Sequence, residues 1–200
     1  MAMGKVCPSV GACGLDCVLC PRFYTEGKSK CDGCGSAYSY AAVGCKFFRC
    51  CVKGKNLETC AECNDFPCST FEGADEYDSF LTHRKMISNL GFIKTFGIKK
   101  FLNEQEKRQR LLRQMLEQFN EGQSRSLYCV AATLIPIETL KNSLDYAKKK
   151  VKERCVKDSD LKSKAKILKE ILNEIASKGT INLNLRKPPS LKQQKEKLRH

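Results

Sequence analysis

Three cysteine pairs with two-residue spacing, Cys17/Cys20, Cys31/Cys34 and Cys60/Cys63, stand close together in this chain of 200 residues. Twelve of its 14 cysteines lie between Cys7 and Cys68, nearly one residue in five of that window. Two thiolates three positions apart across a tight turn can point their sulfurs at one ion, and a second such pair closes a tetrahedron. The window therefore reads as metal-binding, and because it contains no histidine the sites are expected to be sulfur-only. CGLDCVLC followed by CDGC spaces Cys17, Cys20, Cys31 and Cys34 somewhat more tightly than the usual two-pair zinc pattern. ETCAECNDFPC supplies Cys60, Cys63 and Cys68, and GCKFFRCC supplies Cys45, Cys50 and Cys51. That is enough for a second and a third site, and spacing leaves the partition open.

Apolar content points the same way. Residues 7–68 hold eleven Val, Ile, Leu, Met or Phe in sixty-two positions, a fraction typical of chains that do not fold on burial alone. A structural zinc site contributes roughly 10–16 kcal/mol of apparent binding free energy in small fingers, against ~3–5 kcal/mol from a core this small. A disulfide framework is the competing reading, since the cysteine count is even. Residues 1–30, however, lack a charged start followed by an apolar signal-peptide stretch, so a cytoplasmic chain with reduced thiols is expected. Cys129, in the apolar run YCVAATLI, reads as a small core residue, and Cys155 as a lone thiol.

Charge is unevenly placed. The chain carries net +14, with −2 over residues 1–80 and +16 over residues 81–200. An acidic, thiolate-rich lobe could dock on the basic helices of the same chain, or those helices could face an outside anion such as nucleic acid. Runs such as KKKVKER are more commonly solvated helix faces. The longest mainly apolar run, from Leu127 to Ile137, is about half of a membrane span; a soluble chain with no membrane partner is expected.

Beyond the cysteines the periodicity becomes helical. Residues 1–12 read as a flexible lead, and FEGADEYD (71–78) as a linker into a helix that begins near Asp78 and stops at Gly91. Phe92 to Phe96 forms a short piece, followed by a long helix from Ile98 to Asn120 with Phe101, Leu102, Leu112, Met115, Leu116 and Phe119 inward and the run from Asn103 to Arg110 largely outward. Ser124 or Ser126 caps the next helix, Pro136 opens another, and Asp158 or Ser159 caps a last one that Gly179 ends. Ile181, Leu183 and Leu185 suggest a short edge strand or an extended arm, and the end from Lys187 reads as disordered.

Acid/base catalysis has little to work with: two histidines, His83 and His200, and carboxylates scattered along helix faces. Phosphate-cradling and dinucleotide glycine patterns are missing. Cys13, Cys17 and Cys20 have the three-thiolate spacing of radical S-adenosylmethionine enzymes, but a helical remainder cannot supply the barrel of parallel strands those enzymes share. An ordinary four-cysteine iron–sulfur cluster for electron transfer is the first alternative to zinc. Thiolate-based group transfer is the second.

With CGLDCVLCP, CDGC, FFRCC, ETCAECNDFPC and NLGFIKTFGIKKFLNEQEKR in this order, residues 13–110 resemble the cysteine-rich prokaryotic family catalogued as domain of unknown function 3795. The resemblance implies a presumed zinc-binding protein without an assigned activity. It maps the family's cysteines onto Cys13, Cys17, Cys20, Cys31, Cys34, Cys45, Cys51, Cys60, Cys63 and Cys68, with Cys50 an alternative to Cys51. The expected architecture is a small irregular metal-stabilised Cys-rich module of knuckles and short strands (1–75), an all-α basic helical domain (76–180) and an extended or disordered tail (181–200). The expected function is binding of a protein or nucleic-acid partner rather than turnover, with Zn2+ as the structural ion.

Overall fold

A computed structural model describes residues 5–37, 39 and 44–189. Five α-helices follow a cysteine-rich segment of short helical turns: α1 (Met86–Phe96), α2 (Ile98–Phe119), α3 (Arg125–Leu134), α4 (Ile137–Glu153) and α5 (Leu161–Lys178). Among the described residues there is no strand. One isolated antiparallel bridge joins Val10 and Asp16, and the expected short strands of the cysteine-rich segment and of residues 181–185 do not form. None of these helices is long and apolar enough to cross a membrane.

Helix α2 organises the molecule. Phe101, Gln105, Leu112, Met115 and Phe119 are its buried positions, spaced by three, four or seven residues, so they form one stripe along a straight helix. α3 lies against that stripe and is buried from Tyr128 to Thr133, with the Tyr128 hydroxyl donating to the Phe119 carbonyl at 3.0 Å. α4 contributes Leu140, Leu144 and Ala147, and α5 contributes Leu168 and Leu172, to the same core. Asp160, one or two residues later than expected, caps α5 by accepting from Ser163 N–H at 3.0 Å.

Two features of the cysteine-rich segment enter these helices. Val18 and Leu19 are buried in the core of α2–α5, whereas Phe47, Phe48, Val52 and Phe71 form a second cluster with Met86, Leu90 and Ile93 of α1 and Phe101 of α2. Apolar contacts therefore join residues from both sides of position 75. Residues 5–12 are not a loose lead: Val10 and Ala12 are buried, and the buried Lys5 ammonium donates to Glu58 Oε1 at 2.8 Å. Glu58 also accepts from the backbone of Val6 at 3.0 Å and of Cys7 at 2.8 Å.

α1 differs from the expected helix at both ends. Gly91 does not stop it, and the helix runs on to Gly97, whose φ of 82° is the left-handed conformation that ends it. It starts only at Met86 because Asp78 spends its carboxylate on a loop, accepting from His83 N–H at 2.8 Å. The same carboxylate receives the Arg186 backbone N–H at 2.8 Å and its guanidinium at 3.0 Å, while Asp78 N–H donates to Arg186 C=O at 2.8 Å. Arg84 donates to the carbonyls of Asn182 and Asn184. These bonds tie the extended arm of residues 181–186 to the loop before α1.

The Asp78 side chain is buried, and its partners, Arg186 foremost, outweigh desolvation and hold its carboxyl down at about 2 against an ordinary 3.8. A lowered folded-state value means that this stabilisation is present above pH 3.8 and is lost as pH falls through about 2. Asp78→Asn should cost about 2 kcal/mol at neutral pH. Urea unfolding should show the gap to wild type narrowing as pH approaches 2, and hydrogen exchange should quicken first at residues 182–186.

Candidate metal centre

The cysteine-rich segment uses one local device twice. Cys17–Leu19 is a single 3-10 turn closed by Cys20 N–H donating to the Cys17 carbonyl at 3.2 Å, and Cys60–Glu62 is the same turn closed by Cys63 N–H at 3.1 Å. A phenylalanine follows three residues later in each case. Phe23 N–H donates to Cys20 C=O at 3.0 Å and Phe66 N–H to Cys63 C=O at 3.2 Å. The second copy is locked by a capping box in which Thr59 N–H donates to Glu62 Oε1 at 2.9 Å.

Cys31 and Cys34 are placed differently, each by its own partner. Cys31 N–H donates to Arg22 C=O at 3.1 Å and Cys34 N–H to Pro8 C=O at 2.8 Å. The second contact depends on Gly33, where φ is +105° and an added Cβ would stand 2.1 Å from the Pro8 oxygen. Cys50 and Cys51 lie in a π-helical segment, Phe48–Gly54, that the sequence pattern did not suggest. Cys51 faces inward, while Cys50 is exposed.

Electrostatics shows which thiols are neighbours. Burial pushes Cys13 up to about 12, and the Cys45 and Cys34 sulfurs add to the rise. Cys17 is raised by burial and by Cys34, Cys13 and Cys20; Cys20 by burial and by Cys31. Cys34 is raised by burial, with Cys45 and Cys51 adding and the Lys5 ammonium opposing. Cys13, Cys17, Cys20, Cys31, Cys34 and Cys45 thus form one contiguous group.

A second group surrounds a cavity of about 30 Å3 lined by Cys50, Cys51, Cys60, Cys63 and Cys68, with Phe66, Phe71 and Lys55. Hydrogen bonding between Cys60 and Cys51 lowers the Cys51 thiol from its ordinary range and, with burial, drives Cys60 well above it. Cys68 is lowered by a hydrogen bond with Thr70. At the rim the Lys55 ammonium donates to Cys63 Sγ at 3.1 Å and to Asp65 at 2.6 Å. Cys60 also feels Cys13, so the two groups adjoin.

The donor chemistry suits a soft or borderline cation: thiols only, on tight turns, with Lys5 and Lys55 beside them to offset anionic charge. The side chains as oriented do not complete a site. Among the described residues no group of three or more His, Cys, Asp or Glu is arranged to hold a metal ion, and all 14 cysteines are unpaired thiols. Cys129 is buried in the helical core, as its apolar surroundings suggested, and Cys155 is exposed. His83 lies in the loop before α1 rather than on a helix, its ring nitrogens taken by Ala74 C=O at 3.0 Å and Ser79 Oγ at 2.9 Å.

Residues 9–73 match the family model described as Protein of unknown function (DUF3795). The cysteine-rich segment is similar to that family. The matched stretch takes in every cysteine from Cys13 to Cys68 and ends before residues 89–108, which the expected resemblance had included. No curated protein and no solved structure matches the chain. Sequence reading missed the Lys5–Glu58 pair beside the thiol groups, a contact between residues 53 positions apart.

Gly33→Ala should destabilise the protein by about 2 kcal/mol or more, because the substituted residue meets both a positive φ and the Pro8 carbonyl. Thiol-reagent labelling of the folded variant should report faster modification of Cys34, with the labelling of Cys155 unchanged.

Proposed function

We propose that the cysteine-rich segment binds zinc through thiolates alone, and that the protein is an interaction module whose partner, a protein or a nucleic acid, contacts the surface formed with the basic helices. The observation that carries this reading is the small cavity lined by Cys50, Cys51, Cys60, Cys63 and Cys68, whose volume of about 30 Å3 suits a single ion and not an organic substrate. Cys51, Cys60, Cys63 and Cys68 are the four donors we assign to it, with rotation about χ1 bringing the sulfurs to bonding distance. Cys13, Cys17, Cys20, Cys31, Cys34 and Cys45 are the donors for further zinc. Four protein thiolates leave no open coordination position, which is the arrangement of a structural rather than a catalytic ion.

Support for binding over turnover comes from the thiols themselves. Those of the first group are buried or half-buried, and Cys13 belongs to the apolar cluster that holds Val10, Ala12 and, from α1, Met86 and Leu90. Net charge of +16 over residues 81–200 supplies the attraction for an acidic partner.

Native mass spectrometry of the gel-filtered chain should find zinc, and Cys60→Ser with Cys63→Ser should remove an ion while the others stay. Chelation should lower the thermal midpoint and expose residues 7–68 to proteolysis before α3–α5. A brown protein absorbing broadly at about 400 nm would replace zinc by an iron–sulfur cluster, and ion-free protein that still melts cooperatively would end the reading. Retention on heparin that falls steeply with salt would identify the partner as nucleic acid.

A further inference from the structure

The inward stripe of α2 is interrupted. Between Phe101 and Leu112 its inward register is occupied by Gln105 and Arg108, polar residues where apolar ones stand along the rest of the helix. These two border a cavity of about 250 Å3 between α1, α2, α3 and the cysteine-rich segment, closed on the far side by Asp16 and walled by Phe92 and Phe101. Asp16 is 3 % exposed and Gln105 is 7 % exposed, yet Asp16 Oδ1 and Gln105 Oε1 have no hydrogen-bond donor. Buried acceptors are rarely left so, and two of them on residues that line one cavity call for a shared donor.

The surrounding charges specify what that donor belongs to. Arg108 shares the cavity with Asp16 but forms no ion pair with it; its Nη1 is spent on the carbonyls of Ala132 at 2.6 Å and Ile135 at 2.8 Å, at the end of α3. Lys85 stands at the mouth on the same side as Ser88, with Glu104 beside Arg108. A metal ion is a poor occupant, since Arg108 and Lys85 repel it and the acidic donors are too few. A group with several N–H donors and a positive charge satisfies both orphan oxygens. An anionic group at the other end of the same molecule meets Lys85, and a short carbon body lies against the two phenylalanine rings.

We propose that this cavity binds a small zwitterion of free amino-acid size, its ammonium held by Asp16 and Gln105 and its carboxylate directed to Lys85 and Arg108. No cysteine takes part, so the proposal stands apart from the zinc reading. Because Asp16 adjoins Cys17, it is tested at Gln105 and Ser88 instead. Gln105→Leu continues the apolar stripe and removes one acceptor; Ser88→Trp, on an exposed turn of α1, fills the mouth.

Thermal unfolding of the full chain, as purified, is followed with each common L-amino acid at about 10 mM, and with sodium phosphate and methylammonium chloride as single-charge probes. One or a few amino acids should raise the midpoint by about 5 °C or more at saturation. Both variants should lose that response by at least about tenfold in affinity, with Gln105→Leu as stable as the ligand-free wild type or more so. The proposal is overturned if no amino acid shifts the midpoint, which would leave the cavity to water. It is equally overturned if phosphate or methylammonium alone reproduces the shift, or if both variants respond as wild type does.

Discussion

Everything else in this molecule leans on a turn of four residues with two faces. Cys17 and Cys20 end the turn and belong to the thiol group; Val18 and Leu19 form its middle and are buried among α2, α3, α4 and α5. Such a turn cannot be a passive loop. Whatever fixes the sulfurs also fixes the plug, and whatever holds the plug orients the sulfurs, because a 3-10 turn this short has no slack to absorb a displacement of one end. The Tyr24 hydroxyl, donating to Val18 C=O at 2.7 Å, closes the remaining freedom. Thiols and helices are thereby coupled mechanically, and the second copy of the turn, at Cys60–Glu62 against α1, pins the other end of the segment.

Where sequence reading succeeded, the determining physics was local. α2, α3, α4 and α5 end within a residue or two of the expected positions because apolar periodicity, Pro136, Asp160 and Gly179 act within a turn of where they stand. Failures came from long-range bonds. Asp78 looked like a helix start, yet its carboxylate is claimed by Arg186, 108 positions away, and the chain before Met86 is drawn into a loop. Lys5 looked like part of a free lead, yet Glu58 holds it beneath the thiols. Nothing in the spacing of charges along the chain announces either pairing.

The thiols illustrate the same divide. That CGLDCVLC and ETCAEC form knuckles was legible, because the backbone bond that makes a knuckle spans three residues. Which knuckle faces which sulfur was not, since Cys34 is delivered by Pro8 and Cys51 by a π-helical segment whose register no propensity reveals. Cysteine spacing predicts the turn and leaves the partner to the fold.

Gln105 and Arg108 mark the point at which pattern and chemistry part. A reading by charge alone turns the run from Asn103 to Arg110 outward, as a solvated face. A reading by register places residues 105 and 108 between Phe101 and Leu112, in line with the buried stripe, and the structure follows register: Gln105 is buried and Arg108 reaches the end of α3. A helix whose apolar stripe is broken by an amide and a guanidinium gives up burial at two central positions, and Asp16 opposite adds a third polar group with an unpartnered oxygen. Arg108 is accounted for in part by the carbonyls of Ala132 and Ile135 that it caps. Among the described residues no contact accounts for the Asp16 and Gln105 oxygens, and a polar cavity at the junction of three helices and the cysteine-rich segment is where a fold would place a ligand rather than a residue of its own.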